Sequence, residues 1–279
     1  MLLQERKSAM MTNSRIYAIS QGHLNIWDTC RRKYLYKYLE DLGLNEANLE
    51  SQARLTLGAN FHLLMQQMFL GLDVSPLASG DLGKWLDMYD RQPPTMIDGD
   101  RLCEHCRTLE VAFPPTKDRD QQLDITDDQD LQQAYFVLTA IYDLLIWGDG
   151  AAQILDWKTH QRPLTKKVLT QNWQTRLYLY ILAKTTSYQP AQISMTYWFA
   201  NTGTSVIIPY SQRDYERTEQ DLQGILRAIA TEQDYPQLPV HSQQCNFCEF
   251  QERCDRQAIN PTAAQTFTIN LEDIPEVKI

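Results

Sequence analysis

The sequence predicts a mixed α/β fold, with a helical region ahead of a central mixed sheet and a cysteine cluster behind it. Three observations carry this. Early apolar residues recur at helical spacing; from Tyr135 the texture turns to apolar, β-branched and aromatic runs broken by glycine turns; and Cys245, Cys248 and Cys254 crowd near the end. The order is helices first, then βββαβ(β)α, which places a sheet under a helical layer. With 43% hydrophobic and 22% charged residues, 279 residues can build a substantial core without a cross-link.

Residues 1–14 read as a flexible N-terminus, and Ser20 as the N-cap of a helix running to about Leu39 and carrying Cys30. A second helix, about Gln52–Leu70, presents Leu57, Phe61, Leu64, Met65 and Met68 as a core-facing stripe, with Gly58 and His62 one turn apart beside it. From Val74 to Asp130 the signal weakens. It contains a helix near Leu82–Tyr89, a turn at Pro93–Pro94, the CxxC of Cys103 and Cys106, and a strand over Thr108–Phe113. Residues 117–130 hold six Asp against one Lys and one Arg but lack the glycine and final glutamate of an EF-hand, so they read as a solvated connector. The stretch 52–130 is taken as a helical insertion in one domain spanning 15–259, followed by a polar tail, 260–279.

The runs FVLTAIYDLLIW and AAQILDWKT, joined by Gly148-Asp149-Gly150, form a hairpin. Residues 170–185 return to helix, with Trp173, Leu177, Tyr180 and Ile181 inward and Gln174 and Tyr178 together one step round. Strands follow at Ile193–Phe199 and Thr204–Pro209 around Asn201-Thr202-Gly203, then a helix at Gln212–Thr231. No internal repeat or low-complexity segment is present.

The net charge of −9 excludes a generic polyanion binder, but its distribution is uneven. Between Asp156 and Tyr178 five basic residues (Lys158, Arg162, Lys166, Lys167, Arg176) face one acidic residue. A second island, Arg31, Arg32, Lys33 and Lys37, alternates with Tyr34, Tyr36 and Tyr38. Apolar runs fall far short of the ~20 residues that span a bilayer, and the first residues lack a signal-like apolar core. A cytoplasmic protein with no membrane role is the expectation. Six cysteines are too few for a secreted disulfide scaffold, and their CxxC and CxxCx5C spacing points to metal or redox use.

Asp143 on one hairpin strand and Asp156-Trp157-Lys158 on the next bring two carboxylates and an ammonium to one end of the sheet. That set suits a hard divalent cation and a phosphodiester, with Lys158 on the same face as Asp156. A D-x-K pair alone is more often an ordinary strand-end salt bridge.

Four features together resemble the PD-(D/E)XK nuclease superfamily in its RecB-like branch, which includes iron–sulfur nucleases of CRISPR adaptation and the AddB nuclease domain. They are Gly58-x-x-x-His62, AIYD ending at Asp143, ILDWKT, and Gln174-x-x-x-Tyr178, in that order over about Ile19–Cys254. Ile141 stands where the family usually has a glycine. The resemblance implies a restriction-endonuclease-like sheet and a catalytic Mg²⁺ or Mn²⁺ held by His62, Asp143, Asp156 and the main-chain carbonyl of Trp157. It further implies that Lys158 assists the water, while Gln174 and Tyr178 position the DNA. Glu110 is a candidate second acidic contributor. Cys30 with Cys245, Cys248 and Cys254 fits the branch's [4Fe–4S] pattern, although four thiolates suit zinc equally by chemistry. Cys103 and Cys106 are either a local pair or partners of Cys245 and Cys248 in a zinc ribbon.

The expected activity is single-strand DNA exonuclease in repair, recombination or CRISPR adaptation; the alternative is a catalytically silent nucleic-acid-binding subunit stapled by a metal cluster. Arg31, Arg32, Lys166, Lys167 and Arg176 would track phosphates, and Tyr34, Tyr36 or Trp157 would stack on bases. No G-x-x-x-x-G-K-[ST] motif occurs, so ATP-driven unwinding would fall to a partner helicase or a CRISPR-adaptation complex.

Overall fold

The computed structural model describes residues 15–42, 49–113 and 134–256. The N-terminal 14 residues, the acidic connector at 117–130 and the tail at 260–279 lie outside them. Strand β1 (Arg15–Ile19) leads into α1 (Gln21–Thr29), α2 (Arg31–Tyr34) and a π-helical turn at Leu35–Leu39. Helices α3 (Leu49–Phe69) and α4 (Gly80–Arg91) precede a long antiparallel pair, β2 (Asp100–Phe113) and β3 (Ala134–Gly148). Then come β4 (Ala151–Lys158), α5 (Lys166–Gln171), α6 (Trp173–Lys184), β5 (Ile193–Phe199), β6 (Thr204–Pro209) and α7 (Gln212–Thr231).

These strands form one six-stranded mixed sheet in the path β1-β3-β4-β5-β6, with β2 also paired to β3. The sheet forks at β3. On one side β2 follows β3 antiparallel over nearly its whole length; on the other, β1 runs parallel as far as Ile19↔Leu138, and β4 takes over antiparallel from Leu144↔Leu155. The two ladders leave the interval 139–143 between them.

Helices cover both faces. The larger core packs α1, α6 and α7 on one face through Leu24, Trp27, Leu177, Ile181, Leu222 and Leu226; the smaller packs Phe61, Leu64 and Met65 of α3 and Trp85 of α4 against Leu144, Leu155, Trp157 and Trp198. Strand β4 is buried from Ala152 to Lys158, as a central strand covered on both faces must be. Strand β3 changes phase between these cores. Phe136, Leu138, Ala140 and Tyr142 face the larger one, but past Asp143 Leu145 faces it and Leu144 and Ile146 face the smaller. Among the described residues no helix is long and apolar enough to cross a membrane.

Three elements differ from expectation. Strand β1 is too short to show alternation, and its partner lies more than a hundred residues away. The first helix breaks at Cys30, whose backbone is extended at φ −160° and ψ 115°. Its sulfur accepts from Lys33 N at 3.4 Å and so caps α2, with no Gly or Pro to announce the break. The expected helical insertion at 52–130 contains a strand in its described part: β2 begins at Asp100, not Thr108, so the CxxC lies inside a polar outer strand.

The start of α1 is pH-sensitive. His23 stacks on Tyr38 at 3.9 Å, and its Nδ1 accepts from Ser20 N at 3.2 Å. Burial, then the Lys37 ammonium, pushes its pKa from 6.5 down to about 4. The fold holds the neutral ring, so this stability is complete above pH 6.5 and is lost as pH falls from there toward 4, at roughly 1 kcal/mol per pH unit. Urea midpoints at pH 7 and pH 5 should show a larger drop in the parent than in His23→Gln.

Candidate active site

Five elements converge beside the fork: α3 with His62, β2 with Glu104, β3 with Asp143, β4 with Asp156-Trp157-Lys158, and α6 with Gln174. Helix α3 reaches β4 through Gly58. A Cβ there would meet Thr159 Oγ1 at 3.3 Å, tighter than ordinary contact, so glycine admits the close approach. One turn later His62 Nδ1 lies 3.2 Å from Asp143 Oδ2, and the same oxygen accepts from Trp157 N at 2.8 Å. Asp143 therefore sits where β3 shifts phase, tied to both α3 and β4.

Asp156 and Lys158 share the α6 face of β4 by strand alternation with Ile154. Lys158 Nζ is 2.8 Å from Asp156 Oδ2 and donates to Gln174 Oε1 at 3.1 Å. Gln174 Nε2 donates back to Asp156 Oδ1 at 2.6 Å, which closes a three-membered ring of side chains. The ring is only 1–6% exposed, so removing one partner would strand a buried charge. Asn172 caps α6 by accepting from Gln174 N at 2.9 Å, which aims the glutamine. One turn on, Tyr178 is buried edge-to-face on Tyr142, 5.4 Å between centroids. Tyr142 OH donates to the Tyr178 carbonyl at 3.1 Å. Beneath the ring lies Tyr197, whose burial holds its phenol protonated well above the usual range.

Sequence reasoning missed Glu104. His62, Glu104 and Asp143 each offer one ligand atom, all within 4.8 Å of one another. An imidazole and two carboxylates fit a hard divalent cation. The earlier candidate, Glu110, is exposed and pairs with Val137, well along β3 from Asp143. The only sequence signal for Glu104 was the polar Cys103-Glu104-His105-Cys106 in an otherwise apolar sheet.

The expected phosphate-tracking arginines are occupied within the chain. Arg31 pairs with Glu232 at 2.7 Å, Arg32 donates to the Tyr235 and Asp234 carbonyls, and Arg176 pairs with Asp221 at 2.6 Å. Lys166 and Lys167 are exposed on the first turn of α5. Tyr34, Tyr36 and Trp157 cannot serve as stacking platforms, since all three are buried core residues. Trp157 instead stacks on Phe69 at 5.8 Å.

Cys30, Cys245, Cys248 and Cys254 line one small cavity with Arg32, Lys33 and Arg256. Cys103 and Cys106 lie apart on β2, the first against the smaller core and the second exposed, so they do not join Cys245 and Cys248 in a ribbon.

A family profile described as the PD-(D/E)XK nuclease superfamily matches residues 18–255. The chain belongs to that superfamily, whose members are metal-using phosphodiesterase nucleases, and its fold is consistent with the restriction-endonuclease-like type. Nucleic acid is the substrate this membership implies. No curated protein matches the chain. Among solved structures it is similar to one described as "Crystal structure of SSO0001", at 14% identity over 85% of each chain and a TM-score of 0.35.

Gly58→Val should push α3 away from Thr159 and carry His62 off Asp143. Nuclease activity should fall at least about tenfold while the melting temperature shifts little, because a 1 Å misplacement is costly to catalysis; parallel rate and melting measurements check this.

Proposed function

We propose that this chain is a Mg²⁺- or Mn²⁺-dependent deoxyribonuclease acting as an exonuclease on single-stranded ends. The observation that carries the reading is the convergence of the half-buried His62 with the buried Asp143, Asp156, Lys158 and Gln174 at the fork in the sheet. In this reading His62, Asp143, Asp156 and the Trp157 carbonyl hold the cation, which when bound neutralises a non-bridging phosphate oxygen and acidifies a water.

The chain's own residues do the rest. Lys158 Nζ, fixed by Asp156 and Gln174, keeps its proton and donates a hydrogen bond that orients the attacking water or stabilises the charge developing on the phosphate, without reorganising. Gln174 holds Lys158 and Asp156 in place and Tyr178 packs behind them on Tyr142, so both position the site, while the exposed Lys166 and Lys167 engage the phosphates of the strand. Arg31, Arg32 and Arg176 keep a structural role. A helicase or a CRISPR-adaptation complex would supply the single strand, since the chain has no motif for ATP-driven unwinding.

The same proposal assigns a [4Fe–4S] cluster to Cys30, Cys245, Cys248 and Cys254, supported by their sharing one cavity. Burial holds the Cys248 and Cys254 thiols above their ordinary range, so cluster assembly is what would draw off their protons. Its place between the α1–α2 break and the C-terminal segment makes it a staple.

Anaerobically purified protein should digest end-labelled single-stranded DNA in Mn²⁺, and Asp156→Ala or Lys158→Ala should lower the rate at least about a hundredfold. Inactivity of well-folded, metal-replete parent would favour the silent binding subunit. Cys30→Ser should lose iron and sulfide together and melt at lower temperature; zinc in place of iron and sulfide would overturn the cluster assignment.

A further inference from the structure

We infer that Glu104 of strand β2 is itself a ligand of the catalytic cation, and that its strained backbone is what delivers the carboxylate. The inference rests on the metal-dependent reading above and adds to it a residue from a strand outside the Asp143–Lys158 hairpin.

Two independent features place Glu104 there. The first is donor geometry: its carboxylate lies within 4.8 Å of both His62 and Asp143 ligand atoms, so α3, β2 and β3 each contribute one hard donor. The second is the backbone. Glu104 has φ +46°, in the left-handed region that glutamate rarely occupies. Flanking pairs Cys103↔Leu144 and His105↔Tyr142 set Glu104 directly opposite Asp143. This is the step where both strands change phase. Tyr142, paired with His105, faces the larger core, while Leu144 and its partner Cys103 face the smaller.

A relaxed β2 would need no left-handed residue here, and glycine would serve any purely steric requirement of the kink. Glutamate at this position keeps the kink and adds a charge beside a buried aspartate 2% exposed. With His62 beside them, the two carboxylates form a donor set of the kind a hard divalent cation takes.

The test is Mn²⁺ titration of the full chain without DNA, read by the loss of the free-ion electron paramagnetic resonance signal, beside melting temperature. Parent, Glu104→Gln, Glu104→Gly, Glu110→Gln and Asp143→Asn are compared. Glu104→Gln and Glu104→Gly should each weaken Mn²⁺ at least about tenfold, as even the loss of outer-shell partners commonly does, while Glu110→Gln binds like the parent. Glu104→Gly should also melt at or above the parent temperature, because glycine accepts the left-handed φ. If Glu104→Gln does not fold, Glu104→Gly gives the reading. Parent-like Mn²⁺ binding in Glu104→Gly with weakened binding in Asp143→Asn overturns the role of Glu104 alone. Parent-like binding in Asp143→Asn as well overturns the metal-dependent reading of the site.

Discussion

The whole arrangement depends on one strand having to serve two neighbours on the same edge. β3 gives its first residues to β1 and its last to β4, and between those ladders it shifts phase at Asp143. An aspartate in a continuous ladder would point into one core and be costly to bury. At the phase change it instead meets His62 from one side and Trp157 N from the other. The buried polar groups of β4 and α6 satisfy one another around this point, so the site is built into the sheet rather than laid on a loop.

The chain termini of the domain are held by separate, redundant means. Arg31–Glu232, Lys33–Glu249 and Arg253–Glu40 pairs cross between the α1–α2 region and the C-terminal segment, with Tyr36 packed on Phe250. Each exposed pair is worth little alone. Together with the carbonyls that accept from Arg32 they bring four thiols around one cavity. This is why the first basic island lies within the fold, although its alternation of arginine, lysine and tyrosine reads equally as a nucleic-acid surface.

The fold class was legible because strong punctuation brackets the later elements. Pro190, the Asn201-Gly203 turn and Ser211 delimit β5, β6 and α7, whose residue ranges match the sequence reading. Glycine and aspartate mark the β3–β4 turn in the same way. Earlier elements were less legible where the signal is non-local: β1 shows no alternation of its own, and Cys30 breaks a helix through its sulfur rather than through a helix-breaking residue. In the candidate site, Asp143, Asp156 and Lys158 were proposed from the strand pattern and His62 and Gln174 through the family resemblance, and the structure brings these side chains together. Glu104 was not proposed, because a left-handed glutamate inside a strand has no pattern to read.

The parallel pairing of Arg15–Ile19 with Ala134–Leu138 has a consequence for how the molecule is made. β1 leaves the ribosome more than a hundred residues before the strand it must join, and closing so long a loop is slow. A strand synthesised well before its neighbour in the sheet is thus among the last to find its place. Until β3, β4 and α6 have all emerged, the helices carrying Cys30 and His62 have no sheet to dock on, and a nascent chain interrupted before about Lys184 holds the parts of the site without the frame that assembles them.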